Sequence, residues 1–251
     1  MRAIATIARN ELRSRFSSPS TWFVLCANAG VLGFLFLLQL EQFIEIVPQL
    51  ESVAGAPGVT ELVVMPLLRT AAFAALISVP VLTMNAIADE RRQGTLVVLL
   101  SAPVTALDIV AGKFIGLAAV LLVLVGVIAI APVTLVVSVD LDFGLFTCGL
   151  FGLALTLLSM TALGLTFSAF APTPMVAALL TLGTLLGLWI LGLTAIGGLD
   201  DNVVGYLSMT GHLDRFLRGL LRVQDIGYFT SLTLGGVLLG TWRVALARAK
   251  P

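Results

Sequence analysis

The sequence predicts an all-α integral membrane protein. It has six transmembrane helices, an N-terminal amphipathic helix and an external amphipathic helix before the last span. Three observations predict this. The chain of 251 residues is 59% hydrophobic and 11% charged, whereas a soluble domain carries roughly 45–50% apolar and about 25% charged residues. Its mean hydropathy is +1.08. Six runs reach the ~20 predominantly apolar residues that cross a bilayer, without the short alternating segments of a barrel.

The elements follow in order. In Met1–Phe16, Ile4, Ile7, Ala8, Leu12 and Phe16 recur at helical spacing, while Arg2, Arg9 and Arg13 fall elsewhere on the wheel. That pattern predicts a basic amphipathic helix lying on the inner leaflet. It holds no uninterrupted apolar stretch and so does not read as a signal peptide. Ser17-Ser18-Pro19-Ser20 breaks the helix, because Pro19 disfavours helix in its predecessor yet is acceptable at a helix start. The spans are expected near Thr21–Leu40, Met65–Ile87, Phe114–Val139, Leu145–Phe170, Met175–Gly197 and Tyr228–Ala247. Ala171-Pro172-Thr173-Pro174 reads as a tight, uncharged turn between the fourth and fifth.

Direction follows from Lys and Arg. Ten of the 14 basic residues lie in the N-terminal segment, the loop after span two and the C-terminal tail. The first loop on the other side carries Glu41, Glu45, Glu51 and Glu61, and the third Asp140 and Asp142, with no base in either. Both termini are therefore expected in the cytoplasm. Net charge is zero, which argues against nucleic-acid binding. Two Cys and one His exclude a disulfide scaffold and most metal sites. Cys26 and Cys148 sit in apolar runs as small hydrophobes, and the lone His212 forms no catalytic constellation. Arg69 lies inside span two, one to two turns from its outer end. It is read as snorkelling to the headgroups, paired with a Glu of the outer loop. Gly112/Gly116, Gly183/Gly187 and Gly236/Gly240 have the spacing that lets helices approach.

His212–Val223 predicts the external helix. Leu213, Phe216, Leu217, Leu220 and Leu221 form an apolar stripe, with Asp214, Arg215, Arg218 and Arg222 opposite and Thr210 as the cap. The helix is expected flat on the outer surface. It would cover the mouth between subunits, present Arg215, Arg218 and Arg222 to a partner, or be a passive interfacial element.

The most informative stretch is Pro80–Gly116. Span two runs out into Asp89-Glu90-Arg91-Arg92, Gly94 allows a turn, and Thr95–Leu100 is too short to cross a bilayer. Pro103 ends that run, and Lys113 marks re-entry into span three. On physics alone such a segment either docks into another protein's groove or is a solvated turn with an interfacial helix.

Glu90-Arg91-Arg92-Gln93-Gly94-Thr95, Leu99-Leu100-Ser101-Ala102-Pro103-Val104 and Ile109-Val110-Ala111-Gly112-Lys113-Phe114 resemble the loop after span two in ABC-2-type transporter permeases. Asn10-Glu11-Leu12-Arg13-Ser14, Phe16-Ser17-Ser18-Pro19 and Pro80-Val81-Leu82-Thr83-Met84 are similar to stretches of that family's GldF/NosY-like branch. So is Gly211-His212-Leu213-Asp214-Arg215-Phe216 followed by Gly219, Asp225 and Tyr228-Phe229. Asn85 departs from the branch, which often has Arg after Thr-Met, and Asp89 stands for Glu.

The resemblance implies a single permease domain over 1–251, with an elbow helix (1–18), a cytoplasmic coupling loop (88–113) and an external loop (198–227). It implies an ABC-type ATPase subunit docked on that loop, with Glu90, Arg91, Arg92, Gly94, Thr95 and Pro103 as coupling residues. It implies a second permease subunit, identical or a paralogue, in a bacterial inner membrane. The chain has no G-x-x-x-x-G-K-[ST] phosphate loop, so ATP and Mg are expected in the partner and no cofactor in this chain. Two functions compete: ATP-driven export or translocation, and transmission of ATPase motion to an extracytoplasmic or membrane-anchored accessory protein without solute transfer. An intramembrane enzyme is disfavoured, since no nucleophile–base or metal constellation is present.

Overall fold

The computed structural model describes residues 2–50, 57–94, 104–135, 141–195 and 206–249. Helix α1 (Arg2–Phe16) is followed by α2 (Pro19–Leu50), a π-helical turn (Thr60–Val64), α3 (Met65–Thr83) and the short α4 (Ala88–Arg92). Then come α5 (Ala106–Thr134), α6 (Phe143–Phe170), α7 (Pro174–Ala195), α8 (Met209–Leu217) and α9 (Val223–Ala249). No strand occurs among the described residues. Six helical stretches among the described residues are long and apolar enough to cross a membrane: Pro19–Pro48, Thr60–Arg92, Ala106–Thr134, Phe143–Phe170, Pro174–Gly192 and Val223–Arg248.

Local chemistry sets the boundaries. The α1–α2 break falls at Ser17-Ser18, and Trp22 Nε1 donates to the Phe16 carbonyl at 2.7 Å to pin the corner. Thr105 and Asp108 form a reciprocal capping box at the start of α5. Asp142 accepts from Leu145 N to cap α6. At the other end of α6, Ala171 is extended and Pro174 opens α7, as the Pro-rich turn predicts.

The helices outrun the apolar runs. α5 begins eight residues before Phe114, so Lys113 lies in a helix rather than at a loop edge. Glu41 and Glu45 ride on α2, and Glu61 sits on the π turn, so the expected first loop is shorter. Polar residues extend a helix beyond the hydrocarbon without breaking it, so hydropathy marks the membrane and not the helix end.

The helix α6 is the centre of the bundle. In lipid, close approach and interhelical hydrogen bonds hold helices together. Thr83 lies where a Cβ on Gly164 would be, so Gly164 lets α3 lie against α6. A Cβ on Gly236 would sit 3.0 Å from Ala162, and Thr166 Oγ1 donates to the Gly236 carbonyl at 2.7 Å, fastening α9 to α6. Asn28 Nδ2 donates to Ser78 Oγ at 2.8 Å between α2 and α3. Gly112 and Gly116 bring α1 onto α5: added Cβ atoms would meet Ile7 and Glu11 side chains at 2.7 and 2.8 Å. A Cβ added to Gly183 or Gly187 would meet nothing within 4 Å, so that pair seats no other helix among the described residues.

Candidate functional site

α1, α4, the start of α5, the end of α6 and the end of α9 meet at one end of the bundle, here the near end. On α1, the half-buried face carries Ile4, Ile7, Glu11 and Arg15, while Arg9 and Arg13 are exposed. This face lies on α5 and brings an acid to Lys113. Lys113 Nζ donates to Glu90 Oε1 at 2.7 Å and to Glu11 Oε2 at 3.3 Å. Glu11 also accepts from Arg15 Nε at 2.8 Å, and Arg15 Nη1 reaches the Leu82 carbonyl at 3.0 Å. One continuous charge chain thus ties α1, α5, α4 and the end of α3. The Lys113 side chain is 4% exposed, and these two carboxylates offset the cost of burying it. Burial pushes the Glu11 carboxyl up, but Lys113 and Arg15 outweigh it and hold the group below the usual carboxylate range.

The other face of α4 grips α6. Arg91 Nη2 donates to the Ala169 carbonyl at 2.7 Å and Nη1 to that of Ala171 at 3.4 Å. A guanidinium there satisfies carbonyls that the helix leaves open and complements its negative end. Ser168 Oγ accepts from Ile87 N and Ala88 N at 3.0 and 3.1 Å and donates to the Met84 carbonyl at 2.9 Å. Arg92 pairs with Asp89 at 3.0 Å and stays largely exposed. Gly94 has φ +74°, the left-handed conformation the expected turn needs. Thr95, the apolar run to Leu100, and Pro103 fall outside the described residues.

Glu90 is bound to buried Lys113, and its side chain is 30% exposed. Arg91 turns inward onto α6. Lys113, Glu11, Arg15 and Ser168 were missed. The available signal was Glu11 on the apolar face of α1, four residues before Arg15, a place where an acid needs a partner.

At the far end, α8 spans Met209–Leu217 and not His212–Val223. Ser208, rather than Thr210, caps it by accepting from Gly211 N at 3.1 Å; Thr210 Oγ1 donates to the Trp189 carbonyl. Gly219, at φ +75°, ends it. Its N–H donates to the Phe216 carbonyl and Leu220 N–H to that of Arg215, the pairing of a Schellman cap. Leu220 and Leu221 therefore leave the predicted stripe, Arg222 lies beyond the helix altogether, and all three are exposed. Met209, Leu213 and Phe216 are fully buried, and a Cβ on Gly152 would lie 2.5 Å from Phe216. α8 is seated among α3, α6 and α7 rather than resting on them.

Arg215 does not face outward. Its Nε and Nη2 donate to Asp225 Oδ1 at 2.8 and 2.6 Å. His212 Nδ1 lies 2.6 Å from the same oxygen, and its Nε2 is 2.9 Å from the Tyr206 carbonyl. Tyr228 stacks on the imidazole at 4.0 Å between centroids. His212 and Asp225 are fully buried, so this knot joins α8 to the start of α9. Arg69 pairs with Asp214 of α8, not with a loop Glu. Arg218 and Arg222 are exposed.

Six helices long and apolar enough to cross a membrane, among the described residues, define a multi-pass membrane protein. The family model described as ABC-2 family transporter protein matches residues 5–209. The chain belongs to this family and is a membrane permease subunit of an ABC transporter. Membership implies, in general, an ABC-type ATPase as partner. No curated protein matches the chain.

Proposed function

We propose that the near end is the receiving surface for the ATPase, and that α4 passes its motion into the bundle along two routes. Through Glu90 and Lys113 it pulls on α5 and α1; through Arg91 and Ser168 it pulls on α6. The observation that carries this reading is the chain Arg15–Glu11–Lys113–Glu90, a set of ion pairs connecting three helices at low solvent exposure. On this reading Asp89–Gly94 is the face offered to the ATPase, which supplies ATP and Mg chemistry. The near end is cytoplasmic, in agreement with the distribution of basic residues, in a bacterial inner membrane. The His212–Tyr228 segment supports placing the chain in the GldF/NosY-like branch, with a second permease subunit as partner.

The test uses proteoliposomes holding the permease with its ATPase. Lys113→Met should leave the ATPase bound but lower permease-dependent ATP hydrolysis at least about tenfold, as for loss of ~1.4 kcal/mol of coupling, with Lys113→Arg restoring most of it. Binding should occur on the face where Gln93→Cys takes up an impermeant label. Full coupling in Lys113→Met, with the ATPase bound, would overturn the route through Lys113.

A further inference from the structure

A cavity of about 550 Å³ opens at the far end between the π turn, α3, α6 and α8, within the usual ~300–1,000 Å³ of a ligand site. Two columns of side chains face each other across it. On one side stand Glu61, Met65 and Arg69; on the other, Asp214 and Arg218. The π turn matters here. Four-residue steps on an α-helix overshoot one turn by roughly 40°, and a wider turn offsets that drift. Thr60–Val64 therefore keeps Glu61 in the column of Met65 and Arg69, as expected of a π turn placed at a functional site.

Arg69 and Asp214 close one end of the columns by pairing. Arg218, one four-residue step from Asp214, and Glu61, two steps from Arg69, line the same cavity, and neither side chain has a hydrogen-bond or ion-pair partner among the described residues. A carboxylate and a guanidinium that line one cavity, neither paired among the described residues, match a ligand that carries both an ammonium and a phosphate. The wall between them is apolar, through Met65 and Leu145. Exposed Leu220 and Leu221 continue that surface beyond Gly219, which lies against Leu145. A charged pocket running into apolar surface beside membrane-crossing helices suits an amphiphile better than a free solute.

We propose that this cavity binds the phosphoethanolamine headgroup of a phospholipid in the leaflet at the far end. The phosphate lies at Arg218 with Arg69 behind it, and the ammonium donates to Glu61. A trimethylated ammonium has no N–H to donate, so the site discriminates phosphatidylethanolamine from phosphatidylcholine.

The test is native mass spectrometry of the delipidated full chain, titrated separately with dioleoyl phosphatidylethanolamine, phosphatidylcholine and phosphatidylglycerol, and with soluble phosphoethanolamine. Phosphatidylethanolamine should be retained about tenfold better than the other two lipids, the effect of one charge-assisted hydrogen bond. Glu61→Gln and Arg218→Gln should each erase that preference. Both side chains are exposed, and unchanged thermal unfolding confirms that the variants remain folded. Equal retention of the three lipids, or a preference that survives both substitutions, would overturn the proposal. Binding of soluble phosphoethanolamine as tight as that of the lipid would overturn the lipid as its source.

Discussion

Replacing Lys113 by Met removes the cation that Glu11 and Glu90 share while keeping an unbranched apolar stem one atom shorter. The cost follows from burial. Lys113 and Glu11 are 4% and 13% exposed, close to the regime where deleting one partner of a buried pair costs about 3–5 kcal/mol. Glu90 is 30% exposed, and water reaches it, so its share is nearer the surface value of ~0–1 kcal/mol. Arg15 still neutralises part of Glu11. The low end, about 3 kcal/mol, is the expectation. At ~2–4 °C per kcal/mol for a chain of this size, Tm should drop by roughly 6–12 °C. The readout is thermal unfolding in detergent, followed by thiol-dye reaction at Cys148, which is buried, on a Cys26→Ser background. Adding Glu11→Gln and Glu90→Gln to Lys113→Met should recover most of the loss, because neutral groups replacing a whole buried ion set are tolerated where a lone charge is not. Lys113→Met melting with the parent would refute the reasoning. So would a triple variant that loses the sum of its parts.

The same melt tests two further expectations. Gly152→Ala drives a methyl to 2.5 Å from Phe216 and should cost about 1–3 kcal/mol by overpacking, whereas Gly183→Ala, with nothing within 4 Å, should be neutral or better. Because Glu11 is held below its ordinary value of 4.5, its stabilisation is complete above that pH and fades as pH falls through the lower folded value. Acidification from pH 6 to pH 3 should therefore lower the parent's Tm more than that of Glu11→Gln, and parallel curves would remove Glu11 from the network.

The spans were legible because twenty apolar residues in a row have one physical solution in a protein of this composition. The amphipathic α1 was legible too, since its face is set by spacing alone. What spacing does not reveal is which other helix meets that face. Glu11 and Lys113 are 102 positions apart, and nothing local announces their pairing. α8 shows a second limit. Leu220 and Leu221 continue the stripe of Leu213 and Leu217 on a helical wheel, but Gly219 takes a left-handed backbone and ends the helix before them. A glycine cost of about 1 kcal/mol expresses tolerance inside a helix and misses the cap that glycine makes possible. Arg215 was placed outward by amphipathicity, yet a buried carboxylate ten residues on, Asp225, draws it in.

α6 joins the two ends of the molecule. Its last turn is gripped by Arg91 of α4 and, through its own Ser168, holds the backbone of Ile87 and Ala88, and towards its opposite end Gly152 seats Phe216 of α8. Contact alone does not make a transmission route; a route needs an element with two discrete arrangements. On the proposed reading the Arg91 grip would be the switching joint, with the guanidinium bonding the Ala169 carbonyl in one state and releasing it to water in the other. The Gly152 seat is not, because a ring held against a glycine in a packed interior has nowhere to slide without opening a void. A displacement that begins at α4 would therefore switch at the near end and be carried rigidly along α6, moving α8 as a body with the cavity wall it forms. That arrangement places the yielding joint beside the surface proposed to meet the ATPase, and the stiff one beside the cavity.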